Sequence, residues 1–125
     1  MGIQLDEVSV LESVLNEKFS GERLSFRMSV HFVKDRMNHP RNNPNITFTE
    51  LQGIFNRLTT IHISKLIRLN HHDTFNVRCL KSDINIPCAV EMSKDTNGRD
   101  HRQIIAITVM RKHTFKSKDP IEFKV

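Results

Sequence analysis

A chain of 125 residues can bury one hydrophobic core but not two, and 38% hydrophobic with 26% charged residues excludes a disordered or fibrous protein, which points to a single domain over residues 1–125. It has no run of about 18 apolar residues to span a membrane; its MGIQLDEVSV start lacks an export signal, and Asp6 stands where N-myristoylation requires Ser or Thr, so the cytoplasm is the expected compartment. Nineteen Lys and Arg against fourteen Asp and Glu give a formal charge of +5 and an isoelectric point near 9.6, which favours an anionic partner such as nucleic acid.

From the start of the chain, Val8, Leu11, Leu15 and Phe19 fall at helical spacing, with Asp6 and Glu7 near the positive helix end. They predict an amphipathic helix over Leu5–Phe19, ended by Ser20-Gly21. Leu24–Met28 alternates weakly and suits an extended segment. Ser29 then caps a second predicted helix reaching Asn38, with Val30, Val33 and Met37 as its apolar stripe; Pro40 and Pro44 prevent its continuation. His39–Asn45 is a polar loop. Thr47 and Glu50 form a capping box for a third helix whose apolar face is Phe48, Leu51, Ile54, Phe55 and Leu58.

Beyond Thr60, β-branched and alternating residues predict strands at Ile63–Leu69, Thr74–Leu80, Ile84–Val90 and Gln103–Arg111, with a last one at Ile121–Val125. Asp95-Thr96-Asn97-Gly98 marks a hairpin turn, because Asn-Gly tolerates positive φ. The run Ile104–Met110 is apolar on both faces and predicts a central strand. The expected fold class is α+β, with about three N-terminal helices packed on an antiparallel sheet of about four strands.

Cys79 and Cys88 are too few for a disulfide scaffold and read as buried free thiols. Among the seven histidines, His62, His71 and His72 with Asp73 lack metal-ligand spacing; Asn70–Asp73 reads as a solvated turn, and neither a metal nor a cofactor is expected. Four glycines form no Walker or Rossmann loop, and there is no Gly-x-Ser-x-Gly elbow, so nucleotide hydrolysis of the ordinary kinds and serine hydrolysis are not expected.

Two polar groupings carry chemistry. His31 and Asp35 lie four residues apart on one helix face, where the carboxylate can orient the imidazole, with Arg36 and Arg41 nearby. The bland alternative is an exposed ion pair contributing about 0.3–0.5 kcal/mol. The second grouping, Arg111-Lys112-His113-Thr114-Phe115-Lys116, leaves the predicted central strand in the most basic quarter of the chain. There His113 can serve as acid or base, Arg111, Lys112 or Lys116 can stabilise a phosphate transition state, and Phe115 can stack an unpaired base. Its bland alternative is a basic edge that protects the sheet from aggregation.

The helix with His31-Phe32-x-x-Asp35-Arg36, the helix start Ile46-Thr47-x-x-Glu50-Leu51 and the basic strand exit together resemble the small RelE-type ribonuclease group, and within it the RegB-like phage endoribonucleases, over roughly Ser25 to Lys118. The resemblance implies a small helical part on an antiparallel sheet and metal-independent cleavage of messenger RNA to a 2',3'-cyclic phosphate. It assigns His31, Arg36, Arg111 and His113 to catalysis; Arg41, Arg78, Lys112, Phe115 and Lys116 are the expected RNA contacts. The spacing differs, because His, Asp and Arg stand one residue closer in the RegB-like pattern, which is about 100° around an α-helix. The expected function is a phage-type endoribonuclease acting in the host cytoplasm, with RNA as partner and a host protein or ribosome as further partners. The alternatives are a non-catalytic RNA-binding or host-takeover protein and a protein-partner module.

Overall fold

A computed structural model describes residues 2–125. Helix α1 (Leu5–Lys18) buries Val8, Leu11 and Leu15, the stripe its sequence spacing predicts. It also closes a sheet edge. Strand β1 (Leu24–Met28) has only one strand neighbour, and α1 supplies the missing partners: Phe26 N–H donates to Asn16 Oδ1 (2.7 Å), Asn16 Nδ2 donates to the Phe26 carbonyl (3.3 Å), and Met28 N–H donates to Glu12 (2.7 Å). An open edge invites pairing with other chains, and side chains that imitate a next strand remove that hazard. Asn16→Ala is expected to leave both Phe26 backbone groups unpaired and to cost about 1–3 kcal/mol, read as a lower urea midpoint at unchanged slope.

The sheet runs β1-β4-β3-β2-β6, with β2 (Thr74–Arg78), β3 (Ile84–Lys94), β4 (Asp100–Ala106) and β6 (Ile121–Lys124) joined by a short β5 (Met110–Arg111) on β3. It is mixed. The pairs β1–β4 and β2–β6 are parallel and the others antiparallel. Register aligns Phe26, Ile104, Val90, Cys88, Phe75 and Ile121 on one face, where alternation also places Ile86, Val77 and Phe123. These side chains merge with the buried faces of α1 and α2 (Phe48–Leu66) into one core. The opposite face is polar at its centre: buried Asn76 donates to Asn85 Oδ1 and to Glu122, and the segment after β5 covers it through Asn85 Nδ2 to the Lys112 carbonyl.

Three sequence expectations change. Ile63–Leu69, expected as a strand, lies mostly in α2, because Leu51, Ile54, Phe55, Leu58, Thr59 and Leu66 continue one buried helical stripe. Tertiary packing outweighs the β propensity of the Ile-rich stretch. The second predicted helix shrinks to a π turn, Phe32–Arg36, in which Met37 N–H reaches back five residues to the Phe32 carbonyl; Val30, assigned to its buried stripe, is 67% exposed. The sheet is larger than expected and only partly antiparallel. Its middle strand is β3, and β4, interior between β1 and β3, carries the buried first part of the Ile104–Met110 segment.

That segment is interrupted for a reason that matters to the site. Ala106 lies opposite Cys88, but Met110 lies opposite Asn85, so four steps along one strand match three along the other. The extra residue is a β-bulge, and it reverses which face the following side chains take. Arg111 consequently aligns with Ile84, on the face that α2 covers.

Candidate nucleic-acid interface

Arg111 enters the space beneath the start of α2, and its guanidinium is fully engaged. Nη2 and Nη1 donate to the two Glu50 oxygens (2.7 and 3.1 Å), Nε to the Pro44 carbonyl (2.8 Å), and the remaining N–H groups to the Asn45 and Ser82 carbonyls (3.0 and 2.8 Å). Five donors meet five acceptors, which is the limit for an arginine. Burial alone would raise the Glu50 carboxyl, but the Arg111 fork and the Thr47 cap outweigh it and hold it below the ordinary glutamate value. Arg111 therefore ties together the His39–Asn45 loop, α2 and the β2–β3 turn. Its expected role as a phosphate ligand is corrected: no donor remains for a phosphate.

Around this tie the backbone is pinned from two sides. Asn42 is buried, accepts the Arg111 N–H on Oδ1 (2.9 Å) and donates from Nδ2 to the Arg36 carbonyl (2.9 Å), fixing the π turn against β5. Asp83, in the left-handed region at φ 61°, accepts the Lys112 N–H on its carbonyl (2.9 Å) and pairs with His113 Nδ1 through its carboxylate (3.0 Å). Aspartate tolerates that backbone region well. Lys112 and His113 thus leave the sheet in a defined direction.

The result is a cleft of about 300 Å³ lined by Arg36, His39, Arg41 and Lys112 over Val109 and Met110, with Asn42 and Arg111 behind. Among the described residues no carboxylate lines it, and Arg36, Arg41 and Lys112 make no ion pair. Three cations converge here from segments about 70 residues apart. His39, which the sequence reading passed over, is partly buried in this wall. Its Nδ1 accepts the Arg41 backbone N–H (3.0 Å), so in the neutral ring the proton resides on Nε2.

The π turn explains the spacing of the His31 group. Asp35 lies 3.0 Å from His31 Nδ1, as the four-residue spacing predicts, and Arg36 Nε donates to His31 Nε2 (3.1 Å). A turn closed at five residues brings the fifth side chain back to the first, which places Arg36 beside His31. His31 does not itself line the cleft; it reaches it through Arg36.

His113 lies on the other side of Arg111, in a wider cleft of about 920 Å³ that also takes in Arg57, Cys79, Lys81, Ser82 and Asp83. Its side chain is 84% exposed. Arg78 is not a free RNA contact: it pairs with Glu122 (3.2 Å) and donates to the Phe115 carbonyl (2.7 Å). Phe115 is partly buried, and Lys116 is exposed. The basic final quarter does not form one patch either. Arg102 donates to the Leu69 carbonyl, and Arg99 lies in the β3–β4 turn, so of that quarter only Lys112 reaches the narrow cleft with its charge free.

Among the described residues, no helix is long and apolar enough to cross a membrane, and no cluster of three or more His, Cys, Asp or Glu has metal-holding geometry. At the expected solvated turn, the His71 and His72 rings stack at 3.6 Å, and His71 accepts the Met92 N–H. Comparison with protein-family models, with curated proteins and with solved structures finds no match.

Proposed function

We propose that the chain is a metal-independent endoribonuclease of the RegB-like kind, which binds single-stranded RNA with the scissile phosphate in the narrow cleft. The observation that carries this reading is the convergence of Arg36, Arg41 and Lys112 on a carboxylate-free cleft beside the His39 imidazole. A phosphate brings the charge that balances these cations, and RNA brings its own nucleophile in the 2'-hydroxyl.

In this mechanism Arg36 turns from His31 to the phosphate. That frees His31 Nε2, held in the correct tautomer by Asp35, to accept the 2'-hydroxyl proton. The 2'-oxygen attacks phosphorus, His39 as the imidazolium, its Nδ1 released from the Arg41 N–H, gives its Nε2 proton to the departing 5'-oxygen and is left as the neutral ring, and Arg41 and Lys112 stabilise the added charge. The products are a 2',3'-cyclic phosphate and a 5'-hydroxyl. The deciding experiment is incubation with labelled single-stranded RNA in EDTA, with product ends mapped. Cleavage with cyclic phosphate ends is expected, and Arg41→Ala and Lys112→Ala should each reduce the salt slope of binding by about 0.7.

A second reading, RNA binding without cleavage, draws on two contacts: Arg36 occupies His31 Nε2, and Glu50 occupies Arg111. It expects the same salt slope with the RNA left intact. Intact RNA over a broad panel, with binding retained, decides for it. No salt-sensitive binding at all removes both.

A further inference from the structure

Across Arg111 from the narrow cleft lies the wider one, and its chemistry is not used by the mechanism above. Three cationic side chains, Arg57, Lys81 and Arg111, face two carboxylates, Glu50 and Asp83. Both carboxylates already have partners, Glu50 in Arg111 and Asp83 in His113, whereas Arg57 and Lys81 make no ion pair among the described residues. These two cations are the free charges of the cleft.

Arg57 is placed rather than merely present. Its Nη2 donates to Cys79 Sγ (3.4 Å), and its Nη1 lies only 3.0 Å from where a side-chain carbon at Gly53 would stand. Glycine in a helix interior is unfavourable relative to alanine, and here its bareness lets the guanidinium of the next turn fold along the helix into the cleft. Beside it, the Ser82 hydroxyl is buried next to the Cys79 sulfur and makes no other hydrogen bond. The Cys79 thiol reports the local field. Burial would raise it, but the Ser82 hydroxyl, the Ser82 and Lys81 amides and Arg57 outweigh burial and hold it below the ordinary thiol value, so the site favours negative charge.

We propose that the wider cleft is a second nucleotide subsite, in which Arg57 and Lys81 bind the phosphate of an RNA nucleotide flanking the one in the narrow cleft, with the Ser82 hydroxyl as a further donor. The proposal rests on the RNA reading above and extends it from one bound phosphate to a strand crossing Arg111. At about 920 Å³ the cleft has room for a nucleotide. Arg57 and Lys81 are both exposed, so neutral replacements should fold normally.

The test is binding of uncleavable 2'-O-methyl oligonucleotides of increasing length to the whole chain and to Arg57→Gln/Lys81→Gln, over a range of salt. For a hexanucleotide the double variant is expected to bind about tenfold more weakly, with the log–log salt slope reduced by about 1.4, two single-strand phosphate contacts. For a dinucleotide, which fills only the narrow cleft, the two proteins should bind alike. Equal affinity and slope for the hexanucleotide would overturn the subsite while leaving the RNA reading standing. So would an equal loss at every length, the mark of a general field rather than a bound phosphate. Failure of the unaltered chain to bind any RNA would remove the RNA reading itself, and the subsite with it.

Discussion

Arg111→Ala will destabilise the fold by about 3 kcal/mol, and any loss of the proposed RNA cleavage will follow that loss of folded protein. Breaking a buried ion pair by removing one partner costs about 3–5 kcal/mol; the lower end applies because the Glu50 side chain is 29% exposed, although that of Arg111 is only 11% exposed. Three backbone carbonyls, of Pro44, Asn45 and Ser82, lose their donors in the same step. Arg111→Lys will restore little, since an ammonium cannot reproduce a fork that meets two carboxylate oxygens and three carbonyls. The sign of the pH dependence follows from Glu50, whose folded pKa is depressed. Its contribution is fully present above the unfolded glutamate value of about 4.3 and is lost as pH falls through the lower folded value. The stability gap between the natural chain and Glu50→Gln, measured by urea denaturation, should therefore narrow below about pH 4.3. An Arg111→Ala protein of undiminished stability that no longer cleaves would return Arg111 to the phosphate role that its sequence position suggests.

The contrast between Arg111 and Arg36 shows what a sequence can and cannot express. The strand exit at Arg111-Lys112 was legible because an apolar run ended in consecutive cations. The bulge was not, because it depends on pairing with β3, and that one additional residue turns Arg111 inward to Glu50. The same Glu50 was legible as half of a capping box, a local pattern, while its second partner lies 61 residues away. Burial of Val8, Leu11 and Leu15 in α1, and of Leu51, Ile54, Phe55 and Leu58 in α2, could be read from period alone. The extension of α2 through Ile63 could not, because local β propensity opposed a stripe that only the core completes. The pair His31–Asp35 followed from spacing, but Arg36 reaches His31 only through a π turn, which no spacing rule anticipates. His39 was hidden by its setting, a proline-rich polar loop. Its significance comes from contacts made by Arg41 and from the nearness of Lys112.

For that reason, on the proposed endoribonuclease mechanism, His39→Ala is the substitution with the largest expected effect on chemistry, a 10²- to 10⁴-fold slower cleavage, the usual contribution of one general acid, about 3–5 kcal/mol in barrier. The side chain is only partly buried and makes a single hydrogen bond, to a backbone N–H, so the fold should tolerate its removal far better than that of Arg111. A proton donor differs from a residue that only shapes the loop in what can replace it. An RNA whose 5'-oxygen is exchanged for sulfur departs without protonation, so the variant should cleave this substrate nearly as fast as the natural chain does. Loss of a base leaves no such escape, and His31→Ala should stay slow on both substrates, because Asp35 and Arg36 would then have no imidazole between them. Equal slowing of His39→Ala on oxygen and sulfur substrates would make His39 a support for Arg41 rather than an acid. Unimpaired cleavage would move the donor across Arg111 to His113, whose Nδ1 is paired with Asp83 and whose Nε2 faces solvent.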